Sequence, residues 1–283
     1  MSAALALIVS GPALGQGNSG KGKGGSKGGP PSSSVLPGPS AVSPAAVGTV
    51  PFAWIDDASV LPQGDAAFSM SAMRWSGSGI SEVDVPIVGA AVGLTDRVQL
   101  GASIPHVTGS SDPSGAVGGL GTTFISAKIG VLTGEKSGVK LAVAPTLEVL
   151  GAGTLSSLGP GESRGRFGIP VSAEINRGAA RIFASTGFFT GGTWFAGGGL
   201  GLQANSHLAV SAAFSRAWST DSTGTMVGDR RELSGGVGYQ LTPRFSAFGS
   251  LSRTIATSDQ DGAGTSVSGG VLVLLVPSAS HTK

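Results

Sequence analysis

Between Arg164 and Asn176 the chain reads RGRFGIPVSAEIN, and its residues divide strictly by parity. Phe167, Ile169, Val171, Ala173 and Ile175 project to one side of an extended chain. Arg164, Arg166, Ser172, Glu174 and Asn176 project to the other. Period-two alternation of this kind marks a β-strand with one apolar and one polar face. The run exceeds the ~5–6 residues usual in soluble sheets and reaches the ~9–11 residues with which a tilted strand crosses a bilayer. Similar segments recur from about Asp65 to Val276. Together they predict an all-β fold, a transmembrane antiparallel meander β-barrel with an apolar outside and a polar lumen.

Composition supports this reading. Only 12% of the 283 residues are charged, yet mean hydropathy is +0.26, which argues against a Gly/Ser-rich disordered chain. Beyond the start of the chain no run of ~18 apolar residues offers a membrane helix. There is no cysteine, which excludes a disulfide framework and a cysteine-based metal site. The three histidines do not suggest a metal centre, and no cofactor is expected. A net charge of +2 is too small to imply a nucleic-acid partner.

Along the chain, residues 1–15 contain an apolar stretch, Ala3 to Val9, then Gly11-Pro12 and small residues. This is the pattern of a signal peptide, without its basic opening, and predicts export. Residues 16–64 are rich in Gly, Ser, Pro and Lys and predict a flexible linker. The barrel is expected over 65–276 and a short tail over 277–283. About twelve strands can be counted, an even number as bacterial barrels require: roughly 65–76, 81–92, 97–105, 117–132, 138–150, 164–176, 179–190, 193–203, 207–219, 229–241, 244–257 and 265–276. Tight turns at Gly93–Asp96, Asn176–Gly178, Ala204–Ser206 and Thr242-Pro243 alternate with longer polar loops at His106–Ala116, Gly151–Ser163, Thr220–Gly228 and Ser258–Gly264. Short turns at one end and long loops at the other are the asymmetry of outer-membrane barrels.

Val85-Pro86, the stretch GLTDRVQLG from Gly93 to Gly101, and Ile104-Pro105 form a recognisable phrase. Over Glu82 to Pro105 it resembles bacterial outer-membrane proteins named for the phenol meta-degradation pathway. The resemblance implies an outer-membrane barrel that passes small, often hydrophobic molecules, and it implies no catalytic residue. In one respect the chain departs from many such barrels: PSASHTK follows the last strand, where they end on an aromatic residue.

Parity assigns the side chains. Charge facing lipid costs ~2–4 kcal/mol at the midplane, so the charged strand residues are expected in the lumen. These are Glu82, Asp84, Arg97, Lys128, Lys140, Glu148, Arg164, Arg166, Glu174, Arg230 and Glu232, lining a pore that selects by charge or, alternatively, forming a salt-bridged plug. Arg164 and Arg166 open the sixth strand and are expected to make a positive ring at the outer mouth. Arg216 and Arg253 share parity with lipid-facing neighbours, which places them at the membrane interface or beside a bulge. Trp75, Trp194, Trp218 and Tyr239 are expected as membrane-interface anchors. Gly197 to Gly201 reads as a small-residue strand that leaves room in the lumen.

These residues predict an exported protein of the bacterial outer membrane, a passive channel or transporter for small solutes, hydrophobic or aromatic ones included. Its partners would be outer-membrane lipid, the barrel-insertion machinery and the solute. One alternative is a structural or adhesive barrel with a blocked lumen. A weaker one is a membrane-embedded hydrolase using His106 near Ser110, Ser111 and Asp112 in an outer loop.

Overall fold

Strand β1 (Ala66–Gly77) shows the alternation at its plainest, with Ser69, Ser71, Met73 and Trp75 on one face and Phe68 and Met70 on the other. The structure, a computed structural model, describes residues 57–77, 80–111, 118–134, 138–151, 164–220, 226–258 and 263–276. The leader expected over 1–15, the linker as far as residue 56, Trp54 and the 277–283 tail lie outside the described residues. After β1 come β2 (Ile80–Thr95) and β3 (Val98–Ser111). Three strands are each written in two segments: β4 (Gly119–Leu120 and Thr123–Thr133), β5 (Val139–Val143 and Thr146–Val149) and β6 (Gly165–Gly168 and Val171–Arg177). The remainder are β7 (Ala180–Phe189), β8 (Thr193–Gln203), β9 (Leu208–Thr220), β10 (Met226–Thr242), β11 (Phe245–Thr257) and β12 (Thr265–Leu275).

The breaks in β5 and β6 fall at Pro145 and Pro170, which have no N–H to give to a ladder. Their carbonyls still accept: Ala127 N donates to Pro145 O at 3.0 Å and Ala144 N to Pro170 O at 2.8 Å. Each strand pairs antiparallel with the next, and β12 returns to β1 from Ala66↔Leu275 to Ser76↔Thr265. The result is a closed 12-stranded meander with no free edge. Tight turns at 96–97, 178–179 and 243–244 mark one end, called inner below; the opposite end is outer. Two outer loops are shorter than expected, because β3 continues to Ser111 and β10 begins at Met226.

The outward face carries Phe68, Leu100, Ile125, Leu147, Phe167, Ile182, Leu200 and Leu251, all exposed. Water penalises so continuous an apolar belt, and hydrocarbon does not. Parity changes once within β2. Glu82 and Asp84 face inward, and so do Ile87 and Ala91, with the register shift at Val85-Pro86 between them. One extra residue at a bulge restores the apolar residues to their proper faces.

Large apolar side chains turn into the lumen among the described residues. Met73, Trp75, Ile87, Phe183, Phe189 and Phe195 form one buried cluster with Ala213 and Ala217. Glycines make room for these rings. A Cβ at Gly168 would stand 2.4 Å from the Phe189 ring, and one at Gly187 2.6 Å from Phe195. The space expected along Gly197–Gly201 is likewise taken: a Cβ at Gly199 would meet Phe183 Cζ at 2.7 Å.

Adjacent residues on opposite faces test the membrane assignment. Leu147 is exposed on the outward face, and Glu148 is fully buried within. Leu147→Lys is expected to cost ~2–4 kcal/mol, while Glu148→Gln, which keeps shape and removes a buried charge, costs less than ~1 kcal/mol. Urea unfolding from lipid vesicles reads both. Equal losses would remove the distinction between lipid and lumen.

Candidate functional site at the inner mouth

The residues just before β1 do not behave as linker. Residues 57–64, expected as the end of a flexible segment, turn into the barrel from its inner end, and Asp57, Ala58, Ser59 and Leu61 are buried there. The path is pinned step by step. Gly64 N donates to Gly93 O at 2.9 Å, Gln63 N to Asp96 Oδ1 at 3.2 Å, and Leu61 N to Gln99 Oε1 at 2.9 Å. Leu61 packs with Ala67, Ala91 and Leu272, an apolar ring just inside the mouth.

Beyond Leu61 the contacts are ionic. Lys128 Nζ donates to the carbonyls of Asp57 at 3.0 Å and Ser59 at 3.3 Å, and lies 3.5 Å from Asp57 Oδ1. Arg181 reaches Asp57 Oδ2 at 3.4 Å and Glu174 Oε2 at 3.7 Å. Lys140 Nζ pairs with Glu174 Oε1 at 3.1 Å and donates to Ser59 Oγ at 2.7 Å; that hydroxyl donates in turn to Glu174 Oε2 at 3.1 Å. Ser172 Oγ holds the Asp57 carbonyl at 3.0 Å. Side chains from β4, β5, β6 and β7 thus converge on one strand-sized segment. Lys128 is 1% exposed, and a buried ammonium of this kind is tolerable only because carbonyls and a carboxylate surround it.

Of the residues assigned to the lumen by parity, Lys128, Lys140 and Glu174 meet at this seat. Glu82, Asp84, Glu148, Arg166, Arg230 and Glu232 are buried further toward the outer end. Glu148 stands opposite Arg166 across β5 and β6, and Arg230 Nη2 donates to Glu232 Oε1 at 2.8 Å. Asp84 is 0% exposed, and neither carboxylate oxygen accepts a hydrogen bond among the described residues.

Other assignments are corrected. Arg97 is exposed in the tight turn after β2, because the register shift at Thr95 ends the ladder there. Arg164 is exposed just ahead of β6, so it forms no ring with Arg166. Trp75 is no interface anchor: it is 3% exposed inside the lumen, on the same face as Ser71 and Met73. Trp194 is exposed, and Trp218, half-buried, sits directly opposite it across β8 and β9. Tyr239 is also exposed but lies toward the inner end, its ring stacked on His207 at 6.0 Å. His106 lies within β3 rather than in a loop, exposed on the outward face. Arg181 and Asp57 were absent from the expected site. Arg181 shares parity with Ser185, a local signal that could have found it; Asp57 has none, since its role depends on side chains far along the chain.

No family model and no curated protein matches the chain. Solved structures do. An outer-membrane channel of Pseudomonas putida F1 superposes with a TM-score of 0.57 at 12% identity, over 77% of this chain and 98% of that one. The NanC porin gives a TM-score of 0.51 at 8% identity, over 74% of this chain and 100% of the porin. These likenesses show the fold, that of bacterial outer-membrane channel barrels.

The seat predicts its own accessibility. With no native cysteine, Ala58→Cys reports entry of a water-soluble maleimide into the inner mouth. Labelling is expected to be slow. Adding Asp57→Asn, which strips the carboxylate from Lys128 and Arg181, is expected to accelerate it at least about tenfold, within the ~3–5 kcal/mol that breaking a buried pair costs. An unchanged rate would show that the ionic contacts do not hold the segment.

Proposed function

We propose that the protein is a passive channel of the bacterial outer membrane for small, partly apolar solutes, with residues 57–61 as a displaceable constriction at its inner mouth. The observation that carries this reading is the ionic make-up of the seat at the inner mouth. A barrel sealed for good gains little from buried ion pairs, since well-packed apolar residues of similar volume are as stable or more so. Charged side chains become inexpensive when water replaces the segment that covers them. Lys128, Lys140, Arg181 and Glu174 suit a wall that is at times wet. The channel-like fold and the outward apolar belt support the same reading. Lipid, the solute and the barrel-insertion machinery are the partners it entails.

The solute's character follows from the wall. Met73, Trp75, Phe183, Phe189 and Phe195 offer rings and a thioether toward the outer half, beside the carboxylates of Glu82 and Asp84. A small molecule with an aromatic or aliphatic body suits these surfaces. Among the buried ionisable residues of the outer half, Glu148 stands opposite Arg166, Glu232 accepts from Arg230, and Asp84 is wholly buried. Charge count alone therefore predicts no strong ion preference there.

The same aromatic cluster favours a second reading, a structural barrel whose lumen stays shut. Single-channel recording in planar bilayers separates the two. The unaltered chain is expected to show small, intermittent conductance. Asp57→Lys, which sets a cation against Lys128 and Arg181, is expected to give larger and steadier steps. Silence from both, with a heat-modifiable folded barrel, would establish the shut barrel.

A further inference from the structure

Four arginines stand on the outward face near the outer end: Arg74 on β1, Arg216 on β9, Arg231 on β10 and Arg253 on β11. They are near neighbours. Arg216 lies directly opposite Arg231. Arg253 lies opposite Leu233 on one side and Thr265 on the other, and Thr265 faces Ser76, two residues from Arg74. Like charges directly opposed in a ladder repel. Asp229 relieves one contact only: Arg216 Nε and Nη2 donate to its carboxylate at 2.9 and 3.0 Å, and Arg231 Nη2 donates to it at 3.1 Å. Among the described residues no carboxylate pairs with Arg74 or Arg253. Arg216 also lies over the Trp218 ring, 5.1 Å from its centroid.

Charge on the outward face is costly at the bilayer midplane and inexpensive at the interface, which fixes these residues at headgroup level. There a guanidinium meets phosphate as a fork meets two oxygens. Exposed Leu233, Leu251 and Val267 lie beside the arginines on the same face. The patch therefore combines excess positive charge with an apolar flank.

We propose that this face binds the phosphorylated headgroup of an anionic lipid of the outer leaflet, the guanidinium groups on its phosphates and its acyl chains against Leu233, Leu251 and Val267. The apolar flank selects a lipid over free phosphate. The inference rests on the outer-membrane reading but needs no open lumen, so conductance and lipid binding fail independently.

Native mass spectrometry of the full chain, refolded in a non-ionic detergent, tests it with three probes: a diphosphorylated glucosamine lipid, the same lipid without phosphates, and inorganic phosphate. The phosphorylated lipid is expected to be retained at a concentration about tenfold lower than the dephosphorylated one, and less tightly as salt rises. Arg231→Gln with Arg253→Gln is expected to abolish that preference while the barrel remains heat-modifiable. Arg253→Gln alone, which breaks no ion pair among the described residues, serves if the double variant does not fold. Equal retention of both lipids, or a preference untouched by the substitutions, overturns the proposal. So does capture of inorganic phosphate with no lipid preference, or a dimer that the substitutions dissolve, which would make the face a contact between copies.

Discussion

Hydrocarbon offers no hydrogen-bond partner, and every feature of this barrel answers to that fact. A strand inside a bilayer must place each N–H and C=O in a ladder, and an open sheet always leaves two edges unpaired. Pairing of β12 with β1 over Ala66–Ser76 removes both edges at once. The same demand explains how prolines are housed. Pro145 and Pro170 withhold a donor, yet their carbonyls remain in use by Ala127 and Ala144, so the wall stays continuous. Where β2 meets Val85-Pro86, a bulge absorbs the irregularity and returns Ile87 to the lumen.

With the wall closed and its outside apolar, polarity can only go inward, and the enclosed space has to be filled or wet. This chain divides the task. Aromatic rings fitted onto glycines occupy much of the outer half, Phe189 against Gly168 and Phe195 against Gly187. The inner third is occupied by a segment of the chain itself, fastened by Lys128, Arg181, Lys140 and Glu174. The two fillings differ in physical kind. Rings on glycine are held by dispersion and exclusion of water, which apolar solutes can replace. An ionic seat is held by charge that water and salt can compensate.

Much of this wall was legible in the sequence, because the period of two is a local property and lipid punishes any error in it. All twelve strands were foreseen to within a few residues except the outer end of β3, where polar Thr108 to Ser111 disguised a continuing ladder as a loop. Eight of the eleven assigned lumen residues are buried and Lys140 is half-buried; Arg97 and Arg164 lie at strand ends, where alternation no longer constrains a side chain. The nearness of Trp75 to a strand end suggests an interface anchor, whereas its parity with Ser69 and Ser71 points inward, where the structure has it. The segment around Asp57 was illegible for a different reason. It has no periodicity, it reads Asp57-Ala58-Ser59-Val60-Leu61, and its partners lie as far away as Arg181. Only folding reveals that a carboxylate there completes a cluster of cations.

That last contact also bears on how the segment reaches its seat. Lys128, Lys140 and Arg181 come from β4, β5 and β7, neighbouring strands of the meander that β6 joins. Of these three cations, Lys140 and Arg181 meet Glu174, and Lys128 and Arg181 meet Asp57. Residues 57–61 supply a carboxylate to Lys128 and Arg181, two carbonyls to Lys128 and a hydroxyl to Lys140, so the barrel stabilises the segment and the segment stabilises the barrel. In the channel reading, opening therefore costs less in water than in a dry lumen, since each exposed cation regains its hydration as the segment leaves. The seat is built from groups that water can take back.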